Sequence, residues 1–257
     1  MVKKDSYKNK IVIVTGGTKG IGKGIALAYL RQKAKVIVLA RTKPKYLFSS
    51  NGNKVIFFQC NVRDPLQTEK VIKEIIKSYK KINILINNVG GAPLVKSLQA
   101  SINFNNSIID LNLNSVLNVS YFVAKYMMKS KNSCCVLNLS SVTATRPTPG
   151  SAAYGAAKGG LINLTQALAI EWAPQIRVNS LIIGYIETEN SLQHYGTKKE
   201  LKAVAKTIPM QRMGSPDDIA NACMFLSSHD ASWITGACLE VHGGGEVPSY
   251  LSAAKPK

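Results

Sequence analysis

Several things are scarce in this 257-residue chain, and each scarcity excludes something. Histidine occurs only 3 times, at His194, His229 and His242, with no metal-ligand spacing, so metal catalysis has no support. The 5 cysteines (Cys60, Cys134, Cys135, Cys223, Cys238) are odd in number and contain no Cys-x-x-Cys pair. Neither a disulfide framework nor a zinc site is indicated, and buried packing is the expected role. No apolar run approaches the roughly 20 residues a membrane-spanning helix needs. The opening Met1-Val2-Lys3-Lys4-Asp5-Ser6-Tyr7 is basic but lacks the apolar stretch of a secretory signal, so a cytoplasmic protein with no membrane span is expected.

Acidic residues are also few: 14 Asp and Glu stand against 33 Lys and Arg, for a formal charge of +19. The imbalance is concentrated at the start. Residues 1–81 hold 19 basic and 4 acidic side chains, whereas residues 82–257 hold 14 and 10. Such a distribution reads either as a lysine-rich solvated surface or as a positive field around a polyanionic ligand. No recognition motif or aromatic-interleaved basic stripe points to nucleic acid.

What is present is a run of apolar segments alternating with helical patterns. Ile11-Val12-Ile13-Val14 looks like a strand buried on both faces. Thr15-Gly16-Gly17-Thr18-Lys19-Gly20-Ile21-Gly22 follows at once, then a helical pattern from Ile21 to Lys33 and a second strand, Lys35 to Ala40. Strand, glycine-rich turn, helix, strand is the unit that presents a helix N-terminus to a pyrophosphate. The end of the second strand is where a dinucleotide site selects its cofactor: a carboxylate suits the free ribose, an arginine a 2′-phosphate. Here the residues are Ala40-Arg41-Thr42, with Lys19 as a second cation, which favours NADP(H).

Further strands are expected at 55–58, 82–86, 134–139, 176–182 and near 239–241, separated by helices that include a long one over about 104–129. This alternation predicts an α/β doubly wound parallel sheet in one domain, residues 1–257, with ligands outside the carboxyl ends of its strands. Asn88 falls at such an end, placed to order the neighbouring strand and face a ribose. The polar, lysine-rich stretch at about 187–206 reads as a lid.

Tyr154 and Lys158 stand four apart on a predicted helix, where side chains are neighbours. A cation beside a phenol pulls its pKa down from about 10. A phenol so tuned exchanges a proton with a carbonyl oxygen.

Taken together, these segments resemble the short-chain dehydrogenase/reductase family along nearly the whole chain. Thr15 to Gly22 matches its TGxxxGxG turn, Asn87-Asn88-Val89-Gly90 its NNAG segment and Tyr154 to Lys158 its YxxxK. Ser141 lies thirteen residues before Tyr154, the family's usual serine spacing, and Asn112 falls where the family places the asparagine of its tetrad.

The resemblance implies that Tyr154 is the general acid/base, that Ser141 hydrogen-bonds the reacting oxygen, and that Lys158 lowers the Tyr pKa and holds the nicotinamide ribose. Asn112 would support a water relay. It implies cofactor contacts at Gly16, Thr18, Lys19, Gly20, Ile21, Gly22, Arg41, Thr42, Asn61, Val62, Asn88, Gly90, Gly184, Ile186 and Thr188, besides Tyr154 and Lys158. Tyr185, His194, Tyr195 and Met210 are weaker candidates for the substrate wall. Two positions depart from the family pattern: Ile183 replaces the proline of its Pro-Gly, and Val89 the alanine of NNAG.

The expected function is an NADP(H)-dependent oxidoreductase interconverting a ketone and a secondary alcohol. The substrate would be a small molecule, either a thioester-linked acyl chain or a steroid-like ketone. A homo-tetramer or dimer is expected by analogy. Two other readings stay open: an NAD(H)-preferring hydroxysteroid-type dehydrogenase, and a nucleotide-binding regulator that kept the fold without turnover.

Overall fold

The computed structural model describes residues 6–130 and 132–249. The opening residues 1–5, read above for a signal, lie outside them, as do the last eight residues of the 1–257 span assigned to one domain.

Ile11–Thr15 (β1) is buried along its whole length, as an apolar run flanked by two layers of helix requires. Gly20–Arg31 (α1) and Lys35–Ala40 (β2) complete the first βαβ unit. The chain continues through Ile56–Gln59 (β3), Pro65–Tyr79 (α2) and Ile84–Asn87 (β4). Asp64 caps α2, accepting a hydrogen bond from the Gln67 amide at 3.0 Å, and Pro65 occupies the first turn, where its missing N–H is harmless. A small antiparallel ribbon, Ser49–Ser50 against Asn53–Lys54, intervenes before β3 and was not expected from the sequence.

The predicted long helix is in fact two helices, Ile102–Ile109 (α3) and Ser115–Met127 (α4), joined by a π-helical turn at Asp110–Asn114. Cys134–Ser141 (β5), Ala152–Trp172 (α5) and Ile176–Ile183 (β6) follow. The expected lid is helical, with Ser191–Tyr195 (α6) and Lys198–Thr207 (α7), the latter opened by a Thr197/Glu200 capping box. Pro216–Ser227 (α8) and Cys238–Val241 (β7) end the order.

The seven strands form one sheet in the order β3-β2-β1-β4-β5-β6-β7, all pairs parallel. The order reverses between β1 and β4, and the crevice beyond their carboxyl ends is where a doubly wound sheet takes its ligand. The strand period of two sends neighbouring side chains to opposite layers. Val12, Val14 and Cys135 pack with α1 and α8, while Ile11, Ile13 and Cys134 pack with α2 and α4. Cys134 and Cys135 therefore face opposite layers, and four of the five cysteines are buried, as expected. Each fully buried aliphatic side chain contributes about 1.5–3 kcal/mol, enough to hold both helical layers rigidly on the sheet that carries the site.

Candidate active site

The turn between β1 and α1 is built for close approach. Gly16 and Gly20 have φ of +65° and +53°, a region that side chains rarely adopt. A Cβ on Gly22 would lie 2.5 Å from both the Gly16 carbonyl oxygen and Asn88 Nδ2. Asn88 Nδ2 donates to the carbonyls of Thr15 (2.9 Å) and Gly16 (3.3 Å), and its amide donates to Thr15 Oγ1 at 2.9 Å. Asn88 thus ties the end of β4 to the end of β1, the ordering role expected of it.

No side chain at the Lys19 N-cap position caps α1, and no acid lies in its first turn. A helix start of this kind offers backbone N–H groups and a positive dipole end. Lys19 is exposed beside it, and Arg41 and Thr42 are exposed just past β2. Left-handed glycines, a helix start that its own N-cap residue leaves unsatisfied and flanking cations fit a nucleotide pyrophosphate. Val62 is buried in the loop after β3, where the Asn61 carboxamide accepts from the Arg63 amide at 3.3 Å and so orders its own loop.

Ser141 is the last residue of β5, not a loop residue following a shorter strand. Tyr154 and Lys158 lie on α5, which packs on β5 and β6. The Ser141 hydroxyl accepts from the Thr143 amide at 3.3 Å and stands near enough to the Tyr154 phenol to favour its charged form. Lys158 is 3% exposed, its Nζ donates to the Leu139 carbonyl at 2.7 Å, and it sits 5.7 Å from the Tyr154 ring centroid.

Asn112 lies inside the π-turn and is fully buried. Its Oδ1 accepts from the Gly91 amide (2.8 Å), while its Nδ2 donates to the carbonyls of Gly91 (3.1 Å) and Ile108 (2.9 Å). Such a π-turn is a feature frequent at functional sites. A Cβ on Gly90 would meet Asn112 Oδ1 at 2.7 Å and Lys158 Nζ at 3.1 Å, so both groups converge on the same glycine.

Burial dominates the electrostatics. It pushes the Tyr154 phenol above its ordinary value, and the Ser141 hydroxyl only partly opposes it. Burial also pulls Lys158 down from 10.5 to about 8. Contrary to the expectation from spacing, Lys158 does not depress the Tyr154 pKa: its ammonium is held on the Leu139 carbonyl, and desolvation of the phenol prevails.

On the substrate side the structure brings Tyr185 and Tyr195 together, with ring centroids 6.1 Å apart. Burial first, then the neighbouring Tyr185 and Tyr154 hydroxyls, push Tyr195 up to about 12. His194 is exposed and merely edges against the Tyr195 ring at 4.6 Å. Met210 is 63% exposed and lies against Gly243, in a separate cavity it shares with Tyr185, Arg212 and Asp218.

Sequence reasoning missed a polar cluster beside the tyrosines. Tyr185 Oη donates to Glu246 Oε1 (2.5 Å) and accepts from Arg146 Nη2 (3.1 Å), and Arg146 pairs with Glu246. With Val142, Gly184 and His242 they line a cavity of about 100 Å³ next to Ser141. An arginine five residues past Ser141 was the available signal for half of it.

The two departures are absorbed. Ile183 pairs within the ladder with Ser141 and Val241, in extended backbone that suits a β-branched residue. Val89 packs against the core on the α2/α4 side. Gly184 remains obligatory, since a Cβ there would stand 2.7 Å from that of His242. Ile186 bridges Gly214, and the Thr188 amide donates to Ser191 Oγ at 2.7 Å, which fixes the strap leading into the lid.

A parallel sheet with a glycine-rich phosphate turn at its switch point, and a Ser–Tyr–Lys cluster at its carboxyl edge, defines a nucleotide-dependent α/β oxidoreductase. The family model described as enoyl-(acyl carrier protein) reductase matches residues 16–246. The 3-oxoacyl-[acyl-carrier-protein] reductase FabG of Chlamydia muridarum is 34% identical over 244 residues, covering 92% of this chain and 97% of that protein. The enzyme of the same name from Escherichia coli is 34% identical, covering 93% and 98%. Among solved structures, the ligand-free aldohexose dehydrogenase of Thermoplasma acidophilum superposes with a TM-score of 0.87 at 32% identity, over 99% of this chain and 98% of that one. The chain belongs to the short-chain dehydrogenase/reductase family and is an oxidoreductase acting on C=O and CH–OH groups. Membership implies a nicotinamide cofactor. Among the described residues no helix is long and apolar enough to cross a membrane, and no His, Cys, Asp and Glu cluster could hold a metal.

Proposed function

We propose that this protein reduces the ketone of a 3-oxoacyl thioester with NADPH. The convergence of Ser141, Tyr154 and Lys158 beside the glycine-rich turn is the observation that carries this reading. When bound, the nicotinamide supplies the hydride. The chain's own residues bind, orient and move a proton. Ser141 Oγ and Tyr154 Oη hold the substrate oxygen, and Tyr154 donates its proton there as negative charge develops. Lys158 holds ribose hydroxyls once its ammonium leaves the Leu139 carbonyl. Asn112 fixes the Gly90–Gly91 backbone beneath it. Gly16, Thr18, Gly20, Ile21 and Gly22 would cradle the pyrophosphate, Asn61 and Val62 would contact the adenine, and Ile186 and Thr188 would hold the carboxamide end.

NADP(H) is favoured over NAD(H) because β2 ends in Ala40-Arg41-Thr42, with no carboxylate to repel a 2′-phosphate and with Arg41 exposed to meet it. The two named reductases support the thioester substrate. A second reading, a small polyhydroxylated carbonyl compound, is favoured by the Arg146–Tyr185–Glu246 cluster at the cavity next to Ser141. Assembly as a homo-tetramer or dimer through α4 and α5 is supported by their exposed apolar side chains Leu117, Tyr121 and Ile170.

Fluorescence titration of NADPH and NADH on wild type and Arg41→Ala tests the cofactor assignment. Loss of Arg41 is expected to raise the NADPH Kd about tenfold or more, the loss of roughly one charge-assisted phosphate contact, and to leave NADH within about twofold. Tighter NADH binding by wild type would overturn the NADP(H) assignment.

A further inference from the structure

The start of α1 is already occupied from within the chain. Glu189 Oε1 accepts a hydrogen bond from the Gly20 amide at 2.8 Å, and Gly20 is the first residue of this 12-residue helix. A carboxylate there meets the same N–H group and dipole end that attract phosphate. Partial desolvation pushes the Glu189 carboxyl up, but the Gly20 amide, its own amide and the charges of Lys23 and Lys19 outweigh that and hold it below its ordinary value.

The contact is set by the backbone that carries it. The Glu187 amide donates to the Gly214 carbonyl at 2.8 Å, and Ser191, which accepts from Thr188, is 4% exposed. The Thr188 methyl group lies 3.6 Å from where a Gly20 Cβ would be. The strap is therefore anchored on both sides of Glu189. It also forms one wall of a cavity of about 470 Å³, whose opposite wall is α7 with Lys198, Leu201, Lys202 and Ala205.

Resting on the nucleotide-binding reading above, we infer that Glu189 is a built-in competitor for the dinucleotide's phosphates, capping α1 in the ligand-free state. It must release Gly20 before a pyrophosphate settles there. Release of Glu189 loosens the strap, so movement of the 187–206 lid and entry of the nucleotide are one coupled step. A ligand shifts such an equilibrium only by its differential affinity for the two states, so part of the cofactor's binding free energy goes into displacing the carboxylate.

Two variants separate charge from hydrogen bond: Glu189→Gln keeps the shape and loses the charge, and Glu189→Ala loses both. Fluorescence titration is expected to give NADPH and NADH Kd values about three- to tenfold lower in both variants, the range that a helix-terminal carboxylate and a nearby like charge together contribute. Both nucleotides should gain alike, because the pyrophosphate is common to them; an Arg41 variant should affect only NADPH. Without nucleotide, trypsin should cleave at Lys198, Lys199 and Lys202 faster in Glu189→Ala than in wild type. Unchanged or weaker nucleotide binding in both variants, or unchanged cleavage, would overturn the inference while leaving the cofactor reading standing. Absence of NADPH and NADH binding by wild type itself would overturn both.

Discussion

Replacing Tyr154 by phenylalanine, a change of one oxygen atom, is expected to lower kcat/KM for carbonyl reduction by about a thousandfold while NADPH binds within about twofold of wild type. The phenol's nearest polar influence is the Ser141 hydroxyl, and its ring stays packed when the oxygen is gone, so the variant should fold as wild type does. Burial raises the phenol pKa, so Tyr154 is fully protonated at neutral pH and ready to act as an acid. Reduction should therefore be insensitive to pH across the neutral range. Alcohol oxidation requires the phenolate and should climb as pH rises above neutrality. Initial-rate profiles in both directions read this directly, and a reduction rate that rises with pH would contradict the assignment of Tyr154 as the acid.

Lys158→Met is expected to abolish turnover and yet stabilise the ligand-free fold. Lys158 is buried with its pKa lowered to about 8 by desolvation, against 10.5 for an ordinary lysine. Keeping it charged below pH 8 costs on the order of 3 kcal/mol. The lost charge-assisted hydrogen bond to the Leu139 carbonyl gives back about 1.5–3 kcal/mol. A net gain of up to about 1.5 kcal/mol corresponds to a Tm higher by up to roughly 3–6 °C for a domain of this size.

The sign follows from linkage. The folded pKa lies below the unfolded one, so the penalty is fully present below about pH 8 and disappears as pH rises towards 10.5. The stability advantage of Lys158→Met should shrink over that window. Calorimetry at pH 7 and pH 10 would show it, and a variant less stable than wild type at pH 7 would mean that Lys158 is a structural cation.

The seven-stranded scaffold was legible because parallel strands buried on both faces leave unbroken apolar runs, of which Ile11 to Val14 is the clearest. Ser141, Tyr154 and Lys158 were legible through their spacing. The π-turn at 110–114 was not, because its cause is tertiary: Asn112 bonds backbone atoms of Gly91, far from it in sequence. The Arg146–Glu246 pair joins residues a hundred apart, and no local pattern marks either. Lid helix α7 did carry a readable signal, the Thr197 and Glu200 capping box, beneath a lysine-rich composition that looks like loop. The expected tuning of Tyr154 by Lys158 failed for a reason no spacing reveals. Four residues on a helix bring two side chains near each other, but the depth of burial and the Leu139 carbonyl decide where the charge resides.

The most direct test of the account is hydride transfer itself, followed with NADPH deuterated at the nicotinamide C4 position, one stereoisomer at a time, and a 3-oxoacyl thioester as acceptor. Mass spectrometry of the product should find one deuterium on the carbon that bore the ketone, from one of the two stereoisomers, with wild type and not with Tyr154→Phe. Wild-type protein that binds NADPH yet transfers no label to any carbonyl compound in a panel including hydroxylated aldehydes and ketones would contradict the account and leave a nucleotide-binding protein without turnover.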